Sequence, residues 1–202
     1  MIDIVLLGAG GHAKSCIEVI EKSKEFKILG LVDNNKNKDD NFLDYKILGT
    51  DNDLSEINKY CKYAFVTVGQ ILDYKKKYNL FNLLIENNFI IPKILSPHSV
   101  LAKNAVINDG TIVMHNVVVN ASVTIGYNCI INTGSIIEHD VTIGSNTHIA
   151  PGAIINGNVV IGDNSFIGSG SIIKQGIKIG KNCLINAGVK IFSDVPDGQV
   201  IK

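Results

Sequence analysis

Residues 99–194 read SVLAKN AVINDG TIVMHN VVVNAS VTIGYN CIINTG SIIEHD VTIGSN THIAPG AIINGN VVIGDN SFIGSG SIIKQG IKIGKN CLINAG VKIFSD when cut into blocks of six. The third residue of every block is aliphatic, from Leu101 and Ile107 through to Ile185 and Ile191. The first is small or Val/Ile, and the sixth is often Asn, Gly or Asp. A period of six fits neither an amphipathic helix nor simple strand alternation. It fits a repeat in which each short strand is followed by a tight corner. The aliphatic third residue then points into a shared interior, and Asn, Gly and Asp turn the corners because they tolerate positive φ. Three hexads make one triangular coil, and coils stack by parallel pairing at about 4.8 Å. Sixteen hexads give a little over five coils, a prism roughly 25 Å tall. No hexad buries its apolar row alone, so the array is expected to fold as one cooperative piece.

The composition narrows the partners. The chain has 202 residues, 46% of them hydrophobic, with 19 basic against 19 acidic side chains and a formal charge of zero. A nucleic-acid or membrane-surface binder needs a basic excess, so neither partner is expected. No apolar run reaches the ~20 residues that span a bilayer. Asp3 and the missing basic flank make IVLLGAG a buried strand rather than a signal peptide. The four cysteines form no CxxC; Cys129 and Cys183 take the small first position of hexads. A reduced cytoplasm is the expected location.

Residues 1–95 read as a small α/β domain. Ile2–Leu7 is an apolar strand that ends at Gly8-Ala9-Gly10-Gly11-His12-Ala13, and helical spacing follows from Ala13 to about Glu25. Gly8-x-Gly10-x-x-Ala13 matches the dinucleotide fingerprint, whose glycines bring backbone N–H groups to a phosphate. A second strand, Ile28–Val32, ends at Asp33-Asn34, where an acid would read a ribose hydroxyl. Further segments are a short one at 45–49, a helix near 53–60, a strand at 63–68 closed by Gly69, a helix from about Leu72 to Asn87 and a strand at 89–94. A dinucleotide fold needs two βαβαβ halves, and here there is one. One half holds one nucleotide diphosphate, so a nucleotide sugar is favoured over NAD.

Hexads such as VTIGYN, VTIGSN, VVIGDN and IKIGKN resemble those of hexapeptide-repeat acyltransferases. With a GAGGHA turn opening a short α/β domain, nearly the whole chain is similar to the sialic acid O-acetyltransferase and UDP-4-amino-sugar N-acetyltransferase family. The resemblance implies a Rossmann-like domain over residues 1–95 and a left-handed parallel β-helix over 96–202. It implies a homotrimer with sites between subunits and acetyl-CoA as co-substrate. It also implies transfer of acetyl to the C4 amine of a UDP-linked 4-amino-4,6-dideoxy sugar in bacterial surface glycan synthesis. By the same resemblance, Gly10, Gly11 and His12 meet phosphate, Asp33 and Asn34 meet uracil or ribose, and Gly69 lies against the ligand.

An amine attacking a thioester must shed a proton, and imidazole suits that transfer. His139 lies two residues past inward Ile137, at a prism corner, between Glu138 and Asp140. This EHD cluster matches the family's motif, which makes His139 the base and the acid after it the residue that orients it. A histidine at the spacing of His148 touches the thioester region in that family, and Asn132 matches a polar residue of the same site. Gly168, Ser169, Asn186, Ala187 and Gly188 match backbone contacts of the CoA arm. His98 and His115 read as structural, the latter with no acid beside it in sequence.

Two rivals share the repeat. A hydroxyl acceptor, as in sialic acid O-acetylation, needs the same base. A hexapeptide carbonic anhydrase would use zinc, with His115, His139 and His148 as conceivable ligands, but these spacings carry no metal signature and no metal is expected. One departure is that the family's Gly-x-Pro-Ala-Lys signature is absent before Asp194-Val-Pro-Asp-Gly198, which leaves closure of the prism open.

Overall fold

The computed structural model describes residues 1–71 and 73–202. The N-terminal sheet is built from β1 (Ile2–Leu7), β2 (Phe26–Val32), β3 (Asn41–Phe42), β4 (Tyr45–Gly49) and β5 (Tyr63–Val66) in the order β3-β4-β2-β1-β5. All pairings are parallel except β3 with β4. Helices α1 (Gly11–Ser23), α2 (Leu54–Tyr60) and α3 (Lys75–Glu86) cover the sheet. Ile4, Val5, Leu6 and Leu7 of β1 are wholly buried, as a strand covered on both faces requires.

Two expectations shift. The helix anticipated from about Leu72 begins at Lys75, and Leu72 itself lies outside the described residues. No strand spans 89–94. Ile90 makes one bridge to Tyr63, and then the chain leaves the sheet. Pro92 explains the break: it has no N–H for a ladder, and its carbonyl accepts from Gly110 N at 3.1 Å in the prism. β6 (Ile94–Leu95) already pairs with Ile112–Val113. The repeat therefore starts one hexad earlier, at KILSPH, where Leu95 holds the aliphatic third position.

From β6 to β23 (Val200–Ile201), two-residue strands form three parallel sheets of six, five and seven strands. Residue i pairs with i+18, as Ile131 does with Ile149, so three hexads make each coil. Third-position side chains from Ile107 to Ile191 are buried, and first-position Thr111, Ser135, Thr147, Ser165 and Ser171 are wholly so. Every sixth position from Gly110 to Gly188 has positive φ, carried by Gly, Asn, Ser122 or Asp140. Along one edge the corner asparagines form a ladder: Asn128 donates to Asn146 at 2.9 Å, Asn146 to Asn164 at 3.2 Å and Asn164 to Asn182 at 3.2 Å.

The N-terminal domain lies on one prism face. There the outward residues Ile112 and Ile130 are 0% exposed and His148 6%, whereas Val100 and Val106 on the other two faces are 66% and 52% exposed. Gly110, at φ +72°, leaves room for the Phe81 ring of α3, which a Cβ would meet at 2.3 Å. The C-terminal end closes by a shortened coil. Val195 bridges to Ile179, Val200–Ile201 pairs with Leu184–Ile185, and Asp194 and Asp197 accept from the N–H groups of Lys178 and Lys181 at 2.8 Å.

Because each coil is held by its neighbours, Ile143→Ala should cost about 2–5 kcal/mol. It should also lower a single cooperative unfolding midpoint followed by circular dichroism. Val106→Ala, at an exposed outward position, should shift that midpoint by no more than about 0.5 kcal/mol.

Candidate functional site

Two adjoining cavities, about 350 and 330 Å³, open over the C-terminal ends of β1, β2 and β5 and share Gly8, Asp33, Asn35, Val68 and Lys76. Ligands of open α/β sheets bind at this end. Gly10, Gly11, His12 and Gly69 line one cavity, and Asn34, Asp51 and Asn79 the other. All six residues expected to hold the nucleotide sugar thus face one cleft. Asp33 shapes it by accepting from Ala9 N at 2.7 Å and from Asn35 N at 2.8 Å. Burial would raise its carboxyl, but these two bonds and the nearby Lys76 and Lys36 outweigh burial and hold the pKa below the usual value. Asn34 is tied to Asp51 by two bonds, 2.7 and 2.9 Å. Lys36 and Lys76 were not among the expected site residues. Each belongs to a charged run in a loop or helix start, and only the fold brings these two to the rim of the cleft.

Behind the cleft, a buried polar seam joins the two domains. His148 Nδ1–H donates to the Gln70 carbonyl, and its Nε2 accepts from Asn132 Nδ2 at 3.1 Å. The ring also meets Phe166 edge-on at 5.2 Å. With both nitrogens engaged, neutral His148 has no N–H left over; the second amide hydrogen of Asn132 is the donor nearest to free. Lys77 is 1% exposed and donates to the carbonyl of Asn128, at 2.6 Å, and to its side-chain oxygen, which caps the asparagine ladder. Burial drives Lys77 down to about 8, opposed by the Cys129 and Cys16 thiols. Burial also lowers His12 to about 4, with His148 and Lys77 adding repulsion. His148 falls to about 4 through burial, against the pull of its Gln70 bond.

The remaining expected residues fall on two prism edges. Asn132, Gly168, Ser169, Ala187 and Gly188 follow one edge, with Gly188 N donating to Ser169 O at 2.8 Å. His139 and Asp140 stand at the next corner. His139 Nδ1 meets Asp140 Oδ2 at 2.8 Å, both side chains are more than half exposed, and Glu138 is engaged instead by Asn120 at 2.9 Å. Asp140 is therefore the acid that partners His139. Within one chain the His139 corner and the Asn132 corner are separate. His115 is filled at both nitrogens, by Ser96 Oγ at 2.5 Å and Glu18 Oε2 at 2.7 Å, and His98 meets it edge-on. Its acid comes from α1, 97 residues away, out of reach of any local motif. With His148 filled as well, neither ring offers a nitrogen to zinc.

The hexad prism joined to a small α/β domain defines a hexapeptide-repeat transferase with an N-terminal α/β domain. Family profiles agree: residues 3–81 match the PglD N-terminal domain, 122–157 the bacterial transferase hexapeptide and 158–193 the hexapeptide repeat of succinyl-transferase. The N-terminal segment is thus similar to the PglD type and the rest to the hexapeptide repeats of bacterial transferases, and the prism is a left-handed parallel β-helix. Among solved structures it is similar to the GDP-perosamine N-acetyltransferase of Caulobacter crescentus, in complex with CoA and GDP-perosamine. There the TM-score is 0.92 at 28% identity, over 98% of this chain and 92% of that one. It is also similar to the acetyltransferase domain of PglB from Neisseria gonorrhoeae in complex with acetyl coenzyme A, at 0.89 and 26%, over 98% and 94%. WeeI from Acinetobacter baumannii shares the fold at 0.86 and 23%, over 100% and 97%. No curated protein sequence matches significantly.

The seam gives the stability a pH signature. His12 and His148 bind protons more weakly when folded, so the unfolded chain holds more protons between pH 6.5 and about 4 and stability is lost as pH falls through that window. The melting temperature should drop steeply there in scanning calorimetry. His148→Asn, which removes one of the two groups, should flatten the drop.

Proposed function

We propose that the protein moves acetyl from acetyl-CoA to the C4 amine of a UDP-linked 4-amino-4,6-dideoxy sugar. The observation that carries this is the His139–Asp140 pair. The carboxylate accepts Nδ1–H, which fixes the tautomer and leaves the lone pair on Nε2 to act as a base. The amine nitrogen attacks the thioester carbon while Nε2 takes its proton. The C–S bond then breaks, and the thiolate leaves as CoA. No acyl-enzyme forms. The Asn132 amide, turned by His148, supplies a hydrogen bond to the thioester oxygen as negative charge develops there.

In this reading the donor and base edges come from two copies of the chain, because one prism carries them at different corners. The sheet between those edges supports a homotrimer. Its outward residues Val118, Ile136, Ile154 and Ile172 are aliphatic and only partly covered, with Lys190 at the end, whereas on the third face Thr124, Thr142 and Lys178 stand beside Val106 and Val160. In the cleft, Lys76 and Lys36 balance a diphosphate, a charge that free sialic acid lacks. The GDP-perosamine bound to the C. crescentus relative supports a second reading, in which guanosine replaces uridine. Free, buried thiols at Cys16, Cys61, Cys129 and Cys183 suit the cytoplasm.

A thiol-release assay with acetyl-CoA tests the proposal against UDP- and GDP-linked 4-amino sugars and free sialic acid. Turnover with the UDP sugar is expected, turnover with the GDP sugar alone selects the second reading, and turnover only with sialic acid overturns both. His139→Ala should lower kcat about 10²–10⁴-fold. Asp140→Asn keeps a residue that tolerates positive φ but removes the carboxylate, so it should lower kcat without lowering the melting temperature. Lys76→Met should raise the sugar-nucleotide KM about tenfold and leave the acetyl-CoA KM unchanged; equal effects on both would detach the cleft from the nucleotide.

A further inference from the structure

We propose that Gly157 is a positioning residue for the base: its missing side chain is the seat in which the His139 imidazole lies. Gly157 occupies the fifth position of its hexad, one coil beyond His139, and the stacking is pinned by Asn158 N donating to the His139 carbonyl at 2.9 Å. A Cβ on Gly157 would stand 2.7 Å from Cε1, 2.7 Å from Nε2 and 3.3 Å from Cδ2 of the ring. Atoms of this kind do not approach so closely, so the ring and a Cβ cannot share the space.

The backbone gives no other reason for a glycine there. Gly157 does not adopt positive φ, and the left-handed corner of its hexad is taken by Asn158 at φ 56°. Corner glycines such as Gly152 and Gly170 differ in having φ +67° and open space where a Cβ would go. The sequence says the same. In the sixteen hexads from Ser99 to Asp194 the fifth position holds Lys, Asp, His, Ala, Tyr, Thr, Ser, Pro or Gln, and glycine only at 157. A side chain is tolerated at that place on every coil but the one facing the base.

The proposal rests on His139 being the base. Adding a methyl group would displace a ring that is more than half exposed, so the ring swings outward and the coil stays in place. Displacement spoils both the Nδ1–Asp140 bond and the aim of Nε2. Gly157→Ala should therefore melt like the wild type, keep both KM values and lose about 10–10²-fold in kcat, the cost of misplacing a catalytic group by about 1 Å.

The deciding experiment is a double-mutant cycle with the ring NMR signals of His139 recorded in parallel on the ligand-free protein. If Gly157 acts through the ring, Gly157→Ala costs nothing further in the His139→Ala background, and the His139 ring signals shift in the single variant. A wild-type kcat in Gly157→Ala, the same fold loss with and without His139, or unshifted ring signals would each overturn the proposal. Full turnover by His139→Ala alone would remove His139 as base. The seat would then stand or fall on the ring signals, which do not depend on the substrate.

Discussion

Everything in the prism follows from a backbone that must enter the left-handed region once every six residues. L-residues pay for that conformation unless they are glycine or carry a short polar side chain. Along the edge that runs through residues 128, 146, 164 and 182, asparagine takes the corner each time, and each side chain donates to the next. The strain of one corner is thus offset by a bond to another, and the ladder draws the coils into register. Lys77 then caps it from the other domain. The corner constraint reaches the domain interface through these asparagines.

The same constraint writes the chemistry into the repeat. Asp140 is a corner residue at φ 62°, one of the few residue types a corner accepts, and there its carboxylate falls beside His139. One residue meets a structural demand and, in the proposed mechanism, a catalytic one, and both show in the local EHD cluster. The glycine facing the ring meets the opposite demand: it is placed where the corner rules do not call for it. A repeat makes such exceptions visible, because fifteen sister positions show what the backbone alone would accept.

Legibility varied with the range of the interaction. The hexads, the αβ order, the glycine-rich turn, the place of Asp33 at the cleft and the pairing of His139 with Asp140 are legible because each rests on neighbours within six residues or on one strand end. The hexad at Lys93–His98 is hidden in the sequence because Pro92 and Pro97 interrupt its pattern, so Lys93 and Ile94 read as the end of a strand at 89–94. What was not legible depends on distant partners. Glu18 reaches His115 across 97 residues, Gln70 reaches His148 across 78, and Lys77 reaches Asn128 across 51. Nothing local marks Lys77 as buried or Lys75 as exposed. Only the packing of α3 against the prism decides.

That packing also explains why a polar seam is kept inside the molecule. Burying His12, His148 and Lys77 carries desolvation that an apolar seam would avoid, and nothing in the fold alone demands it. The seam touches both the cleft and the prism edge: His12 forms part of the cleft wall, and His148 holds the Asn132 amide. An apolar joint would leave that amide free to rotate and would fix the two domains only loosely in register. Directed bonds fix both at once. The cost in acid stability is the consequence of holding the cleft and the Asn132 edge at a set distance within one rigid frame.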